Sequence, residues 1–409
     1  MTLGERIRTL RKERKMTLQQ LAADAITKGM LSLIENNKAK PSMESLQHIA
    51  TMLNVSVSDL LEDSSSPQKK EVVKEGEDLF RKIDYSNLTA FTEITSLIEP
   101  LLATLGRGYL DARLLDLYAR AAYETNLADW ETSIEKAILL YEEIQVARRA
   151  ASLRLFRISV KFREKQYQQA LEQLLKEREA IEEHTLWSDP LLRLDFDYSE
   201  AVFYYAVGQK EKALETMHAA IDFSKQQKVF YRLDHLYRLA VVHAIMAGDK
   251  QEAETYISRL KAYALFTDDK EIEEFTQLIW IHYNTSYSKD IERADELMTK
   301  LLQTSKPLDQ LDFERVEYAK IAYYKGNLAL AQQVLEETPP APSFVSHPVD
   351  LSLYSEREYY LALIYLNQGD TAKALEVLET SWDQLQHFPE TPYQTRMKKL
   401  REDLLKDVQ

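Results

Sequence analysis

The chain has 409 residues, no cysteine, only 9 glycines and 11 prolines, and a formal net charge of −14. The lack of cysteine excludes disulfides and thiol catalysis and fits a reducing cytoplasm. No apolar run reaches the roughly 18 residues of a membrane span, and Met1-Thr2-Leu3-Gly4-Glu5-Arg6 lacks the apolar stretch of a signal peptide. A cytoplasmic protein without membrane contact is therefore expected. Few turn-forming residues and 45% hydrophobic content predict long helices joined by short connections, in two or three domains.

The charge is unevenly spread. Residues 1–40 hold 9 Lys+Arg against 4 Asp+Glu, whereas residues 64–409 hold 43 against 58. A local basic patch on an acidic chain suits contact with phosphates at one end and repels nucleic acid elsewhere.

Periodicity predicts a first helix from Gly4 to Arg14, with Ile7 and Leu10 inward and Arg8, Arg11, Lys12 and Lys15 as a basic flank. Thr17 with Gln20 three residues on is a capping-box signature for a second helix whose apolar face is Leu18, Leu21 and Ala22. Thr27 caps a third helix, Lys28 to about Asn36, with Leu31 and Ile34 inward. Pro41-Ser42 opens a fourth, with Leu46, Ile49, Ala50 and Leu53 inward. Val55 to Leu61 supplies a short fifth.

These residues resemble the Cro/repressor-like helix-turn-helix family of bacteria and phages. Residues 3–62 carry L-x-x-L-A, M-L-S-x-I-E and K-x-x-P-S in register. One departure is the turn, where Ala23-Asp24-Ala25 replaces the usual glycine and is one residue shorter. The same short turn is common in the peptide-pheromone-responsive regulators of Gram-positive bacteria. The resemblance implies DNA-facing positions at Thr17, Thr27, Lys28, Gly29, Met30 and Ser32, and phosphate contacts at Asn37, Lys38 and Lys40. Lys28 is the long donor at the helix start and has the reach for guanine O6/N7. Gly29 and Met30 are poor base readers, so part of the specificity falls to DNA shape.

Residues 1–63 thus form a DNA-binding domain, 64–70 a polar linker, 71–390 a repeat array and 391–409 a capping helix. The repeat is legible in Gly208, Gly248, Gly326 and Gly369, spaced by 40, 78 and 43 residues. Each is followed five residues later by alanine, at Ala213, Ala253, Ala331 and Ala374. Lys165 to Ala170 and Lys289 to Ala294 keep the spacing without the glycine. Glycine ends the first helix of a hairpin in a left-handed cap; alanine there, and at Ala201, Ala319 and Ala362, admits close helix approach. Six hairpins are expected between about 146 and 387, with one or two degenerate ones over 71–145. They resemble tetratricopeptide repeats with lengthened helices. An all-α chain follows, a five-helix helix-turn-helix domain and then a right-handed superhelix with a concave groove.

Motifs for chemistry are missing. The eight histidines are scattered, and His235 and His243 lie on one helix without a carboxylate at ligand spacing. There is no H-E-x-x-H, phosphate loop or G-x-S-x-G. Neither catalysis, a metal nor a cofactor is expected. Tyrosine is abundant, 23 residues, and serves packing or a wet groove equally well. Projected onto the groove are Tyr198, Tyr205, Arg238, Tyr283, Lys320, Tyr323, Tyr359 and Asn367. The two cations suit a peptide carboxylate or acidic side chain, and the asparagine suits a peptide backbone.

Taken whole, the chain resembles the peptide-pheromone-responsive transcription regulators. That resemblance implies a cytoplasmic homodimer that binds double-stranded DNA and a short linear signalling peptide, as in quorum sensing. Two other readings fit the same parts: repeats that bind a protein partner, and a repressor from a phage or mobile element.

Overall fold

The structure is a computed structural model that describes residues 3–23, 25–57, 60, 67–83, 88–182, 185–304, 308, 313–342 and 344–407. Every regular element among them is helical. The chain divides into two compact units, Met1–Arg157 and Ile158–Gln409.

In the first unit, α1 spans Leu3–Glu13, α2 Leu18–Ala22, α3 Lys28–Glu35 and α4 Met43–Met52. Their starts follow the caps read from sequence. The Thr17 hydroxyl accepts from the Gln20 amide, and the Gln20 side chain accepts from the Thr17 amide. Thr27 accepts from the Met30 amide and Ser42 from the Ser45 amide. Such caps satisfy amides that the first helical turn leaves unpaired. Ile7, Leu21, Ala22, Ile26, Leu31, Ile34, Leu46, Ile49, Ala50 and Leu53 form the buried core, joined by Leu60. The expected fifth helix lies largely outside the described residues; Leu60 donates to Ser56 O.

The short turn has a conformational cost. Ala23 sits at φ 44°, ψ −137°, a left-handed setting that glycine adopts freely and alanine does not.

Arg11 corrects the basic-flank expectation. Its guanidinium makes a two-pronged contact with Glu35, 2.6 and 2.8 Å, and donates to Met16 O at 2.8 Å. It bolts α1 to α3 from inside rather than facing phosphate.

Helix α5 (Pro67–Arg81) corrects the linker. Pro67, Gln68, Lys69 and Lys70 are its first turn, because proline is pre-set for the start of a helix. Residues 61–66 lie outside the described residues. Helices α6 (Thr89–Ile98), α7 (Tyr109–Glu124) and α8 (Trp130–Glu143) follow. On α7, Asp116 is 1% exposed. It accepts from Arg113 and Arg120 at 2.7 Å each and from Tyr141 at 3.2 Å. Burial alone would raise its pKa, but Arg120 and Arg113 outweigh that and bring it down to about 2. The apolar cluster of the helix-turn-helix core continues into Ala112, Leu115, Ala119, Ile134 and Ala137. The break between units therefore falls inside α9 (Ala147–Arg163) and not at residues 64–70.

The second unit continues with α10 (Tyr167–Glu182) and then paired helices: α11 (Pro190–Ala206) with α12 (Lys210–Gln227), and α13 (Leu233–Ala247) with α14 (Lys250–Thr267). Next come α15 (Lys270–Tyr283) with α16 (Ile291–Thr304), and α17 (Phe313–Tyr324) with α18 (Leu328–Glu337). After α19 (Pro348–Tyr354), α20 (Glu356–Asn367) pairs with α21 (Thr371–Leu385), and α22 (Pro392–Asp407) closes the unit. The repeat signals have the expected geometry. Gly248 lies at φ 77°, and Lys289, which stands where a glycine was missing, still adopts φ 60°. Ala213, Ala253, Ala294, Ala331 and Ala374 are all fully buried. The first helices form a row: α11 touches α13, α13 touches α15, α15 touches α17 and α17 touches α20.

Candidate DNA-binding face and ligand cavity

Helix α3 buries Leu31, Ile34 and Glu35 and exposes Lys28, Gly29, Met30 and Leu33. Met30 is 45% and Leu33 43% exposed, so an apolar strip flanks the lysine. Nothing lies within 4 Å of a side chain built at Gly29. Packing does not require glycine there; its effect is to leave the backbone at the helix start accessible. Thr17, Thr27, Lys38 and Lys40 are exposed and Ser32 is half-buried. Asn37 has a structural duty as well. It sits at φ 54° beyond α3 and accepts from the Gly4 amide at 3.2 Å. The exit of α3 is thus tied to the start of α1, and the basic residues of α3 and its exit stay on the surface.

In the second unit the eight groove candidates separate. Tyr198 and Tyr205 on α11 and Arg238 on α13 line one cavity of about 270 Å³. Val202, His235, Leu239, Val242, His243, Met246, Phe275, His347, Val349 and Asp350 complete its wall. Helical spacing explains the set, since 198, 202 and 205 share a face of α11, and 235, 239, 242 and 246 a face of α13. A smaller cavity of about 130 Å³ shares Tyr205, His243 and Met246 and reaches Lys210 and Pro389 to Pro392.

Polar atoms in this wall lack partners. Tyr205 is 6% exposed. Its hydroxyl, Arg238 Nε and His243 Nδ1 are buried and make no hydrogen bond. Each such atom costs about 1–3 kcal/mol when left unmade. The Arg238 guanidinium lies 4.8 Å from the Phe275 ring centre. Burial, with Lys210 and His218 nearby, holds His243 below its ordinary pKa.

The connection between α18 and α20 covers this region. His347 Nε2–H donates to Val202 O at 3.2 Å, its Nδ1 accepts from the Val349 amide, and Tyr167 donates to Ser346 O at 2.6 Å. These bonds fix the neutral Nε2–H form of His347, which burial favours.

Lys320 is corrected. It is fully buried and was expected in the groove. Its ammonium donates to Glu317 at 2.8 Å, Glu356 at 2.7 Å and Ser286 at 2.7 Å. Arg396 and His282 join the network through Glu356 and Glu317 at 2.7 Å each. His282, Glu317 and Glu356 bring three ligand-type side chains together, but the lysine ammonium holds the position between the carboxylates that a cation would need. Asn367 is also corrected; it is exposed and bonds back to Leu363 O. Tyr323 and Tyr359 belong to an aromatic cluster with Tyr324 and Tyr360. Tyr283 lines another, more open depression with Trp280 and Arg293. His235, His243, Phe275 and His347 escaped the sequence reading. The face through His235, Arg238, Val242 and Met246 was a signal that could have found one of them, His235, as a cavity residue. His235 does have a carboxylate neighbour, Asp234, at 2.8 Å.

Among the described residues no helix is long and apolar enough to cross a membrane. The helix-turn-helix family pattern matches residues 7–60. Over 103 residues the chain is 30% identical to the immunity repressor protein of Bacillus phage phi105, spanning 72% of that protein and 22% of this chain. Over 63 residues it is 43% identical to the HTH-type transcriptional regulator DdrOP3 of Deinococcus deserti, of which it spans about half, 49%. Among solved structures it is similar to Bacillus thuringiensis PlcR in complex with the peptide PapR7 and DNA. That likeness has a TM-score of 0.43 and 18% identity, over 68% of this chain and 98% of that one. ComR from S. thermophilus, in complex with DNA and its signalling peptide ComS, gives 0.36 and 19%, over 67% and 97%. With its buried core, capped α2 and α3 and exposed basic helix start, the chain belongs to the helix-turn-helix family and is a DNA-binding regulator.

Proposed function

We propose that the protein is a cytoplasmic, homodimeric transcription regulator whose grip on DNA is set by a short linear peptide. The peptide binds along the row of first helices in the second unit. Lys28, with Thr17, Thr27, Gly29, Met30 and Ser32, meets the major groove, while Asn37, Lys38 and Lys40 meet phosphates. One observation carries the ligand: the cavity formed by Tyr198, Tyr205, Arg238 and Phe275, whose wall holds unpartnered polar atoms. Aromatic walls with a few convergent polar groups are the usual make-up of a site for a small ligand. Tyr283, Tyr323 and Tyr359 remain candidates for the flanks of a longer peptide.

Control then follows from differential binding: the peptide favours one arrangement of the repeats, and that arrangement sets the spacing of two DNA-binding heads. Footprinting of the chain's own upstream DNA, with and without peptides from conditioned medium, tests this. A footprint that changes with peptide supports the reading; one that never responds to any peptide refutes it.

A protein partner is the second reading, favoured by Leu265 and Phe266, which are 83% and 78% exposed at the end of α14. A contiguous exposed apolar patch marks a docking surface, and these two neighbours are the most exposed large apolar side chains among the described residues. Loss of a co-purifying protein on Leu265→Ser/Phe266→Ser would support it.

A further inference from the structure

We infer that the Tyr205–Arg238 cavity is a carboxylate-recognition site. This rests on the peptide reading above and adds the chemistry of the group bound.

Arg238 makes no ion pair or hydrogen bond among the described residues; it lies against the face of Phe275, 4.8 Å away, and acts on Asp234 only through space, helping to lower that carboxyl's pKa. Its neighbours differ in this respect. Arg232 is paired with Asp195 at 2.9 Å and His235 with Asp234 at 2.8 Å. Asp350 lines the same cavity, where burial raises its pKa, and it makes no ion pair with Arg238 among the described residues. A guanidinium carries only donors and no acceptor. It needs an acceptor, and a carboxylate matches its fork in both charge and shape.

Tyr205 supplies a second donor. Its hydroxyl is buried and unpartnered, and the residue lines both adjoining cavities. His243 sits beside it with Nδ1 free. Burial and the nearby Lys210 and His218 favour its neutral ring, which offers one acceptor or one donor and adds no second charge. Leu239, Val242, Met246 and Phe275 close the remaining wall with apolar surface. The arrangement therefore takes a carboxylate at Arg238 and Tyr205, an amide or hydroxyl at His243, and an apolar group against Phe275. In a peptide, the carboxylate is the C-terminus or an Asp/Glu side chain.

The test uses the full chain and an array of heptapeptides. Each peptide is made as the free acid, as the C-terminal amide, and with Asp and Glu changed to Asn and Gln. Fluorescence polarisation gives the affinities, and N-acetyl-phenylalanine serves as a carboxylate that is not a peptide. Every binder should weaken at least tenfold when one carboxylate is removed. Amidation identifies the C-terminus as its source, and Asn/Gln exchange identifies a side chain. Arg238→Gln should erase that discrimination. Tyr205→Phe, which removes only the hydroxyl, should weaken the free acid about three- to tenfold and leave the amide unchanged.

Peptides that bind equally well without any carboxylate overturn the inference and leave the peptide reading standing. So does discrimination that survives Arg238→Gln in a variant that melts like the wild type. An array without binders, with N-acetyl-phenylalanine protecting the wild type but not Arg238→Gln from heat, keeps the carboxylate site and refutes the peptide reading. Silence of both probes refutes both.

Discussion

Replacing Lys320 by methionine should unfold the second unit far more readily, although sequence alone suggests a tolerant groove position. The ammonium has three N–H donors and three oxygen partners within 2.8 Å, on Glu317, Glu356 and Ser286. All sit on different elements or turns of the fold: α17, α20 and the segment after α15. Methionine keeps the volume and removes the charge. Glu317 is then left with His282 and Thr285, and Glu356 with Arg396. Removing one partner of a buried ion pair costs about 3–5 kcal/mol. At about 2–4 °C per kcal/mol for a unit of this size, the Tm of that transition should fall roughly 6–20 °C in a calorimetric scan of the full chain.

The pH dependence gives a second readout. In the wild type, burial would raise the Glu317 pKa, but Lys320 and His282 outweigh it and bring it down to about 2. A depressed carboxylate stabilises the fold above its unfolded pKa of about 4.5 and loses that contribution as pH falls toward 2. Without the lysine, the same buried carboxylate has its pKa raised instead. The variant's deficit should therefore be largest at neutral pH and shrink toward pH 4.5. Adding Glu317→Gln should recover part of the loss. A Tm within 1 °C of wild type, or a deficit independent of pH, would refute the burial argument.

The remaining predictions follow from single contacts. Ala23→Gly relieves a left-handed alanine worth about 1 kcal/mol, so the first unit's Tm should rise about 1–4 °C; a fall would remove strain as the account of the short turn. Asp116→Asn breaks the carboxylate that Arg113 and Arg120 share. A pKa lowered from 3.8 to about 2 represents about 2 kcal/mol of stability, present above about pH 4 and lost toward pH 2. Urea titrations at pH 7 and pH 3 should find a deficit at the first and a smaller one at the second. Lys38→Ala should lower the salt dependence of binding to double-stranded DNA by about 1 in slope, and Lys28→Ala should weaken binding and relax the choice of one base pair by about 1–3 kcal/mol. Unchanged binding in both variants would move the DNA-binding face elsewhere.

Several features of this protein are local and were legible in its residues. The caps at Thr17, Thr27 and Ser42 are contacts over three residues, and the inward set from Ile7 to Leu53 follows a 3.6-residue period, so helix position and core face come straight from spacing. The left-handed C-caps were equally plain, since glycine-then-alanine marks both a positive φ and a close helix approach. Even Lys165 and Lys289 keep the conformation, at φ 65° and 60°, where the glycine is absent.

Charge pairing was decided by tertiary structure. Arg11 read as surface and Lys320 as groove-lining because each stands at a plausible helical position. Their partners lie on other elements, Glu35 across α3 and Glu356 on α20, and no periodicity on one helix reveals a partner 24 or 36 residues away. The cavity is likewise a product of packing. Tyr198, Tyr205 and Arg238 were visible as candidates, but Phe275, His243 and His347 join them only when α11, α13 and α15 lie side by side and the connection before α19 folds over α11. Sequence fixes which side chains a helix can offer on each face; which of those faces meet, and which polar atoms are left without a partner, depends on the way the helices pack.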